Sequence, residues 1–496
     1  MKRSLSLIIL LLLMTPFMHL HGQSGLRPRG DVNRDWKVSI DDVTDLITMM
    51  LNDVEYHALY TYDADINSDK TISIEDVTCL IEGLLGGELS PMPVYSGTLP
   101  VLFINTEDGK DIVSKEDYLQ ADWWLDAMGI DGYESIGSPD QPQGMQIKGR
   151  GNYTWKNYPK KSFRLKLDAK QPLMGMHSNK HYCLMGHPDD FRAFLKNTVG
   201  FELSRRIGMA YTPAQEPVEV VLNGQYIGLY FLTEKIRVDK HRVNIEEQDD
   251  GETDAECITG GWLLEFDNNP TPGEYVSIVE KPGSTIWQDW ITVTYHSPEK
   301  LSHEQKTYLK RFMQNANNAI YSTDKLSTEW ERYIDIDTLA MYYIVGEIMD
   351  DLEYFAGSCY MYKHRGDSTK LVFGPVWDFG NAFQRYSIYG DDDFNKFIFG
   401  QPTSFRSHWI EEIMAFPHFR QVVRDHWRAF YGAGFNGLDI DLYCDEFVER
   451  IRAAYQSDGY RWTLYDINYQ ENKFKTFIHR KINWLQSQWG NIESEE

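Results

Sequence analysis

The chain has 496 residues, 42% of them apolar, enough to bury the cores of two or three domains. Its formal charge of −25 argues against nucleic acid as a partner, because a phosphate backbone is bound by a basic surface. Five scattered cysteines (Cys79, Cys183, Cys257, Cys359, Cys444) show neither a C-x-x-C pair nor metal-ligand spacing, and read mostly as buried thiols.

Residues 1–22, "MKRSLSLIILLLLMTPFMHLHG", place Lys2 and Arg3 before an apolar run and end on Gly22. That order predicts a secretory signal, with Gln23 opening an exported, soluble, secreted or cell-surface protein. No later stretch is long and apolar enough to predict a membrane span.

Two segments then repeat at a spacing of 34 residues: "DVNRDWKVSIDDVTDLI" from Asp31 and "DINSDKTISIEDVTCLI" from Asp65. Each puts side-chain oxygens at loop positions 1, 3, 5, 9 and 12. In the first these are Asp31, Asn33, Asp35, Ser39 and Asp42, and in the second Asp65, Asn67, Asp69, Ser73 and Asp76. Position 7, Lys37 or Thr71, supplies a backbone carbonyl. Ca2+ takes several hard oxygens at once, and this spacing wraps a short loop around one ion. Val43, Leu46 and Ile47, like Val77, Leu80 and Ile81, follow at helical spacing, so each loop feeds a helix. Residues 29–83 hold 13 acidic and 4 basic side chains. The pair resembles a type I dockerin over 29–85, which implies an all-α calcium-binding domain with two Ca2+ sites and a cohesin-like partner. It departs from the EF-hand pattern in having Trp36 and Lys70 at position 6, usually glycine, and Asp at position 12.

Residues 86–97 lack periodicity and carry Gly, Pro and Ser, predicting a linker before a domain over 98–490. "LPVLFINT" predicts a strand. In "YPKKSFRLKL" strand alternation puts Arg164 and Lys166 on one face and Phe163 and Leu165 on the other. The glycine turn of "KGRGNYTW" beside strand-borne lysines is one way to build a phosphate cradle, although most basic strand faces are simply solvated. "DDFRAFLKNTVGFELSRRIG" predicts a helix with the stripe Phe191, Phe194, Leu195, Val199 and Leu203, stopped by Gly208. "PVEVVLNGQYIGLYFLTEKI" predicts a hairpin turning at Asn223-Gly224 and ending at Glu234. Residues 246–256, with seven acidic side chains, read as a solvated loop.

Two amphipathic helices follow, "SHEQKTYLKRFMQNANNAIYS" and "DIDTLAMYYIVGEIMDD", the second ending at Asp350, Asp351 and Glu353. "SCYMYK", "HRGDST" and "KLVFGPVWDF" then predict strand, turn and strand. The start of one antiparallel strand lies beside the end of the next, so Asp351 or Glu353 is expected at the same end as Asp378. A base for a hydroxyl and a metal ligand at one hairpin end suit phosphoryl transfer.

"KGRGNYTW…KKSFRLK", "FLKNTVGFELSRRIG", "EVVLNGQYIGLYFLTEKI" and "FGPVWDFGNAF" occur in the order in which they resemble the CotH family of spore-coat-type atypical kinases, which also occur as secreted bacterial proteins. The resemblance implies an α+β fold, divergent and protein-kinase-like, transferring phosphate from ATP to protein Ser/Thr with Mg2+ or Mn2+. It implies Asp378 as metal ligand and Arg150, Asn152, Lys161, Lys166 and Glu234 around the nucleotide. Alignment on the strand makes Glu353 the base, and alignment on the helix end makes it Asp351. The second acidic residue often found after Trp-Asp is replaced by Gly380-Asn381. That departure leaves a second class open, a non-catalytic kinase-fold module in a surface or polysaccharide-associated assembly.

Overall fold

The computed structural model describes residues 29–33, 35, 37–51, 64–67, 71–86, 95–283, 290–385, 393–400, 408–435, 437–459, 461–462 and 465–490. The signal-like segment 1–22, linker residues 87–94 and Asp69 lie outside them.

In the N-terminal repeat, helices α1 (Ile40–Leu51) and α2 (Ile74–Leu84) each follow one of the two loops. Val43, Leu46, Val77 and Leu80, the apolar positions at helical spacing, form a shared core with Val32, Val38, Ala64 and Ile66. The loops are knitted to the helices by carboxylates. Asp42 accepts the N–H groups of Asn33 (3.0 Å) and Ser39 (2.8 Å). Asp76 accepts those of Ile66 (2.7 Å) and Ser73 (2.8 Å), closing a capping box on α2. Arg29 ties the loops together by donating to the Asp65 carbonyl at 2.7 Å.

The rest is a mixed α+β structure. Strands β1 (Val101–Thr106), β2 (Leu119–Asp126), β3 (Gln143–Arg150), β4 (Ser162–Gln171), β5 (Asn179–Met185), β6 (Gln215–Leu222) and β7 (Gln225–Glu234) close into a barrel of order β1-β2-β3-β4-β5-β7-β6. Neighbours are antiparallel except β1 and β6, which close the barrel in parallel with Val101 opposite Glu219. Alternation fills the interior: Phe163, Leu165 and Leu167 of β4 join Ile147, Tyr182, Val220 and Leu232, while Arg164 and Lys166 face outward. Both turn residues of the β6–β7 hairpin have positive φ, 51° at Asn223 and 76° at Gly224, the geometry an Asn-Gly pair favours.

Between β3 and β4 runs a short helix, α3 (Tyr153–Asn157), and between β5 and β6 lies α4 (Leu195–Ile207). The predicted helix 189–208 is shorter than its stripe suggested. Ala193 and Phe194 have left-handed backbone, so α4 begins at Leu195 and Phe191 stays 39% exposed.

A second sheet has the order β12-β11-β8-β10-β9, built from β8 (Trp262–Phe266), β9 (Tyr275–Val279), β10 (Trp290–Ser297), β11 (Cys359–Lys363) and β12 (Leu371–Phe373). Helices α5 (His303–Ile320) and α6 (Ile336–Met349) precede β11. α6 departs from the amphipathic expectation: Leu339, Ala340 and Tyr342 through Met349 are all buried. Helices α7 (Pro417–Gly432), α8 (Gly437–Asp458) and α9 (Ile467–Trp489) complete the chain, and α7 and α9 both pack on α6. A helix covered by neighbours on all sides loses its polar face.

Two buried charge clusters lock these layers. Lys160, just before β4, meets Asp458 at the end of α8 at 2.8 Å, and Asp458 also accepts the Leu229 N–H of β7. Behind α6, Lys481 bridges Glu347 (3.1 Å) and Asp350 (2.8 Å), and Arg385 reaches Asp350 at 2.9 Å. Asp350 therefore serves the core and not the cleft described next.

Candidate active site

A cleft of about 1160 Å3 separates the outer face of β3, β4 and β5 from the second sheet and the ends of α4 and α6. Asp378 lies on its floor, five residues beyond β12, in left-handed backbone (φ 59°, ψ 64°). Its neighbours hold that turn. Trp377 packs against Phe201 of α4, and Phe379 lies against Gly200 and Tyr354. The Phe379 N–H donates to Asn197 Oδ1 at 3.0 Å. Asp378 is open to solvent along the cleft yet ringed by protein, and burial raises its pKa against the opposing pull of the Arg150 guanidinium.

Glu353 lines the same cleft. Asn268, in the turn after β8, donates to its Oε1 at 2.6 Å, and Asn381 donates to Oε2. Burial and then the nearby Asp378 charge push its pKa up to about 7 despite those two donors. Asp351 stands behind it. Fully buried, it accepts the Glu353 N–H at 3.0 Å, while its Oδ2 has no hydrogen-bond partner. Burial and the Glu353 charge raise its pKa well above the carboxylate range.

Sequence reasoning missed Asp189. It precedes α4, and a methyl group built on Gly380 would lie 2.9 Å from its Oδ2 and 3.4 Å from Asp378 Oδ1, so the two carboxylates flank that glycine. Burial, then Asp378, pushes the Asp189 pKa up to about 6. Lys196 was missed too. Its buried ammonium donates to the Gly380 carbonyl at 2.6 Å and feels Asp190, Asp189 and Asp351. A lysine beside the apolar stripe of α4 was its one sequence signal. Asn268 carried none, because its partner is 85 positions away.

Arg150 lines the cleft, its guanidinium 5.5 Å from the Trp377 ring, and Asn152 follows at the Gly151 turn. The remaining expected nucleotide residues are not brought to the cleft. Lys161 donates back to the Trp155 carbonyl and lies 5.4 Å over its ring. Lys166 is exposed farther along β4. Glu234 is buried among Tyr211, the Ala214 N–H and Arg242.

Among the described residues no three His, Cys, Asp or Glu side chains form a ready metal cage. The donor chemistry nevertheless fits a cation at the cleft floor. Asp189, Glu353 and Asp378 repel one another's charge, and the partnerless Asp351 oxygen lies behind them.

A family model described as CotH kinase protein matches residues 147–487. The chain belongs to the CotH family. The match begins inside β3, and β1 and β2, upstream of it, belong to the same closed barrel. No curated protein matches the chain at a significant level.

Proposed function

We propose that this CotH protein is a secreted phosphotransferase of divergent protein-kinase-like fold, moving the terminal phosphate of ATP to a protein serine or threonine. The observation carrying this reading is the convergence of Glu353, Asp378 and Arg150 on one cleft from α6, the β11–β12 hairpin and β3. Asp378 and Asp189 would hold Mg2+ or Mn2+, which when bound neutralises phosphate charge. Arg150 and the Gly151-Asn152 turn face the incoming phosphates, and Lys196 fixes the Gly380 turn from below. Glu353 takes the acceptor proton. Its carboxylate is clamped for that task by the amides of Asn268 and Asn381. The acceptor oxygen bonds phosphorus as the nucleoside diphosphate leaves. Asp351 orients Glu353 through the backbone bond.

The two N-terminal loops bind Ca2+ in the manner of a dockerin and tether the kinase unit to a cohesin-like partner. The fully buried Asp31, Asp42 and Asp76 carboxylates at loop positions 1 and 12 support this, since buried anions favour a cation among them. A second reading, a non-catalytic module, draws on Asn381 standing where an acidic residue is usual in the family.

Calorimetry of ATP binding with Mg2+ or Mn2+ tests the first reading. Binding is expected, with labelling of a Ser-containing acceptor that Asp378→Ala abolishes. No nucleotide binding with either metal leaves only the second.

A further inference from the structure

The barrel carries a row of cations that, among the described residues, form no ion pair and lead out of the cleft. Lys148 of β3 and Arg164 of β4 are register partners, and both line the cleft. Lys166 follows on the same face of β4, opposite His181 of β5. Lys235 and Arg237 complete the row just past β7, whose last residue, Glu234, is the register partner of Tyr182 next to His181, and both charges act on His181 together with Lys166. Burial and then those charges hold the His181 imidazole neutral, its pKa down to about 3, and burial with Arg164 nearby lowers Lys235 to about 8.

No ion pair involves Lys148, Arg164, Lys166, Lys235 or Arg237 among the described residues, whereas the adjacent Arg242 is paired with Glu234 at 3.5 Å. Glu116, Asp117, Glu274 and Glu299 are the carboxylates that act on the row. On a chain of net charge −25, five cations without carboxylate partners on one face are a local exception.

We infer that this row is the docking track for an acidic segment of the acceptor protein, entering the cleft between Lys148 and the second sheet. The inference rests on the phosphotransferase reading for its orientation, with the acceptor hydroxyl at Glu353 and the acidic residues trailing along β4 toward Arg237. Arg164 and Lys166, two residues apart on a strand, stand about 7 Å from each other, the spacing of alternate side chains in an extended peptide. Carboxylates and phosphorylated side chains share the required anionic chemistry.

Fluorescence anisotropy of the full chain separates the outcomes, using a labelled Ser-containing peptide rich in Glu, its Gln-for-Glu counterpart and a phosphoserine version. The Glu peptide is expected to bind about tenfold more tightly than the Gln peptide and to weaken with salt. The double variant Lys235→Gln/Arg237→Gln should weaken it about tenfold, and so should Lys166→Glu at an exposed position that the fold tolerates. A stronger phosphoserine peptide would identify phosphate as the favoured anion. Equal binding of Glu and Gln peptides, variants that bind like the parent, or displacement of the Glu peptide by saturating Mg2+–nucleotide would each overturn the inference. Peptide binding is read without turnover. A chain that binds the peptide and no nucleotide therefore refutes the phosphotransferase reading alone.

Discussion

Glu353 connects the site to a measurable pH dependence. Its pKa rises from 4.5 to about 7 on folding, and that of Asp189 from 3.8 to about 6. Between those limits the native state binds more protons than the unfolded chain, so stability falls as pH rises through the window. Metal-free protein should therefore melt at a lower temperature at pH 8 than at pH 5. Glu353→Gln removes one of the repelling charges and should recover ~1–2 kcal/mol at pH 8, with little change at pH 4. An unchanged pH slope in that variant would show that Glu353 is not crowded by Asp378. The residue alphabet made Asp378 and Glu353 candidates, since carboxylates at a hairpin mouth are conspicuous. Asp189 and Asn268 were not, because each matters only through a neighbour distant in sequence.

At the level of elements, the hairpin β11–β12 was legible from its two β-rich runs and intervening turn. Its consequence was also legible: Asp351 bridges to Ala382, so the end of α6 lies beside the turn that carries Asp378. What held that turn was hidden. Gly200 of α4 leaves room for the Phe379 ring, and a methyl group there would sit 2.3 Å from it. Gly200→Ala gains up to ~1 kcal/mol of helix propensity but must displace a buried ring, which costs ~1–3 kcal/mol. The clash is expected to prevail, lowering the urea midpoint and weakening metal–nucleotide binding together. A stabilised variant would mean that Phe379 shifts freely and does not position Asp378. The boundary of α4 was misread for a related reason. A stripe of apolar residues marks burial, and Phe194 is buried in left-handed backbone outside the helix.

For the whole molecule, the N-terminal repeat has its own core, formed by residues of the repeat alone. Chelation of Ca2+ is expected to unfold that unit while the melting of the CotH unit stays where it was; a calcium-insensitive N-terminal unit would remove the dockerin-like reading. Periodic features were determined by the sequence alone: the 34-residue repeat, the alternation of β4, the Asn-Gly hairpin and the order of the CotH blocks. Each depends on neighbours a few positions apart, where backbone geometry dictates which side chains share a face. Tertiary structure alone decided that the barrel closes through β1 and β6, that α6 is buried all round, and that Asp350 serves the core while Glu353 serves the cleft. It also decided that Lys161, Lys166 and Glu234 lie away from the cleft and that Asp189, Lys196 and Asn268 belong to it. Closure, burial and charge compensation arise between segments tens to hundreds of residues apart, and no local pattern encodes which of them meet.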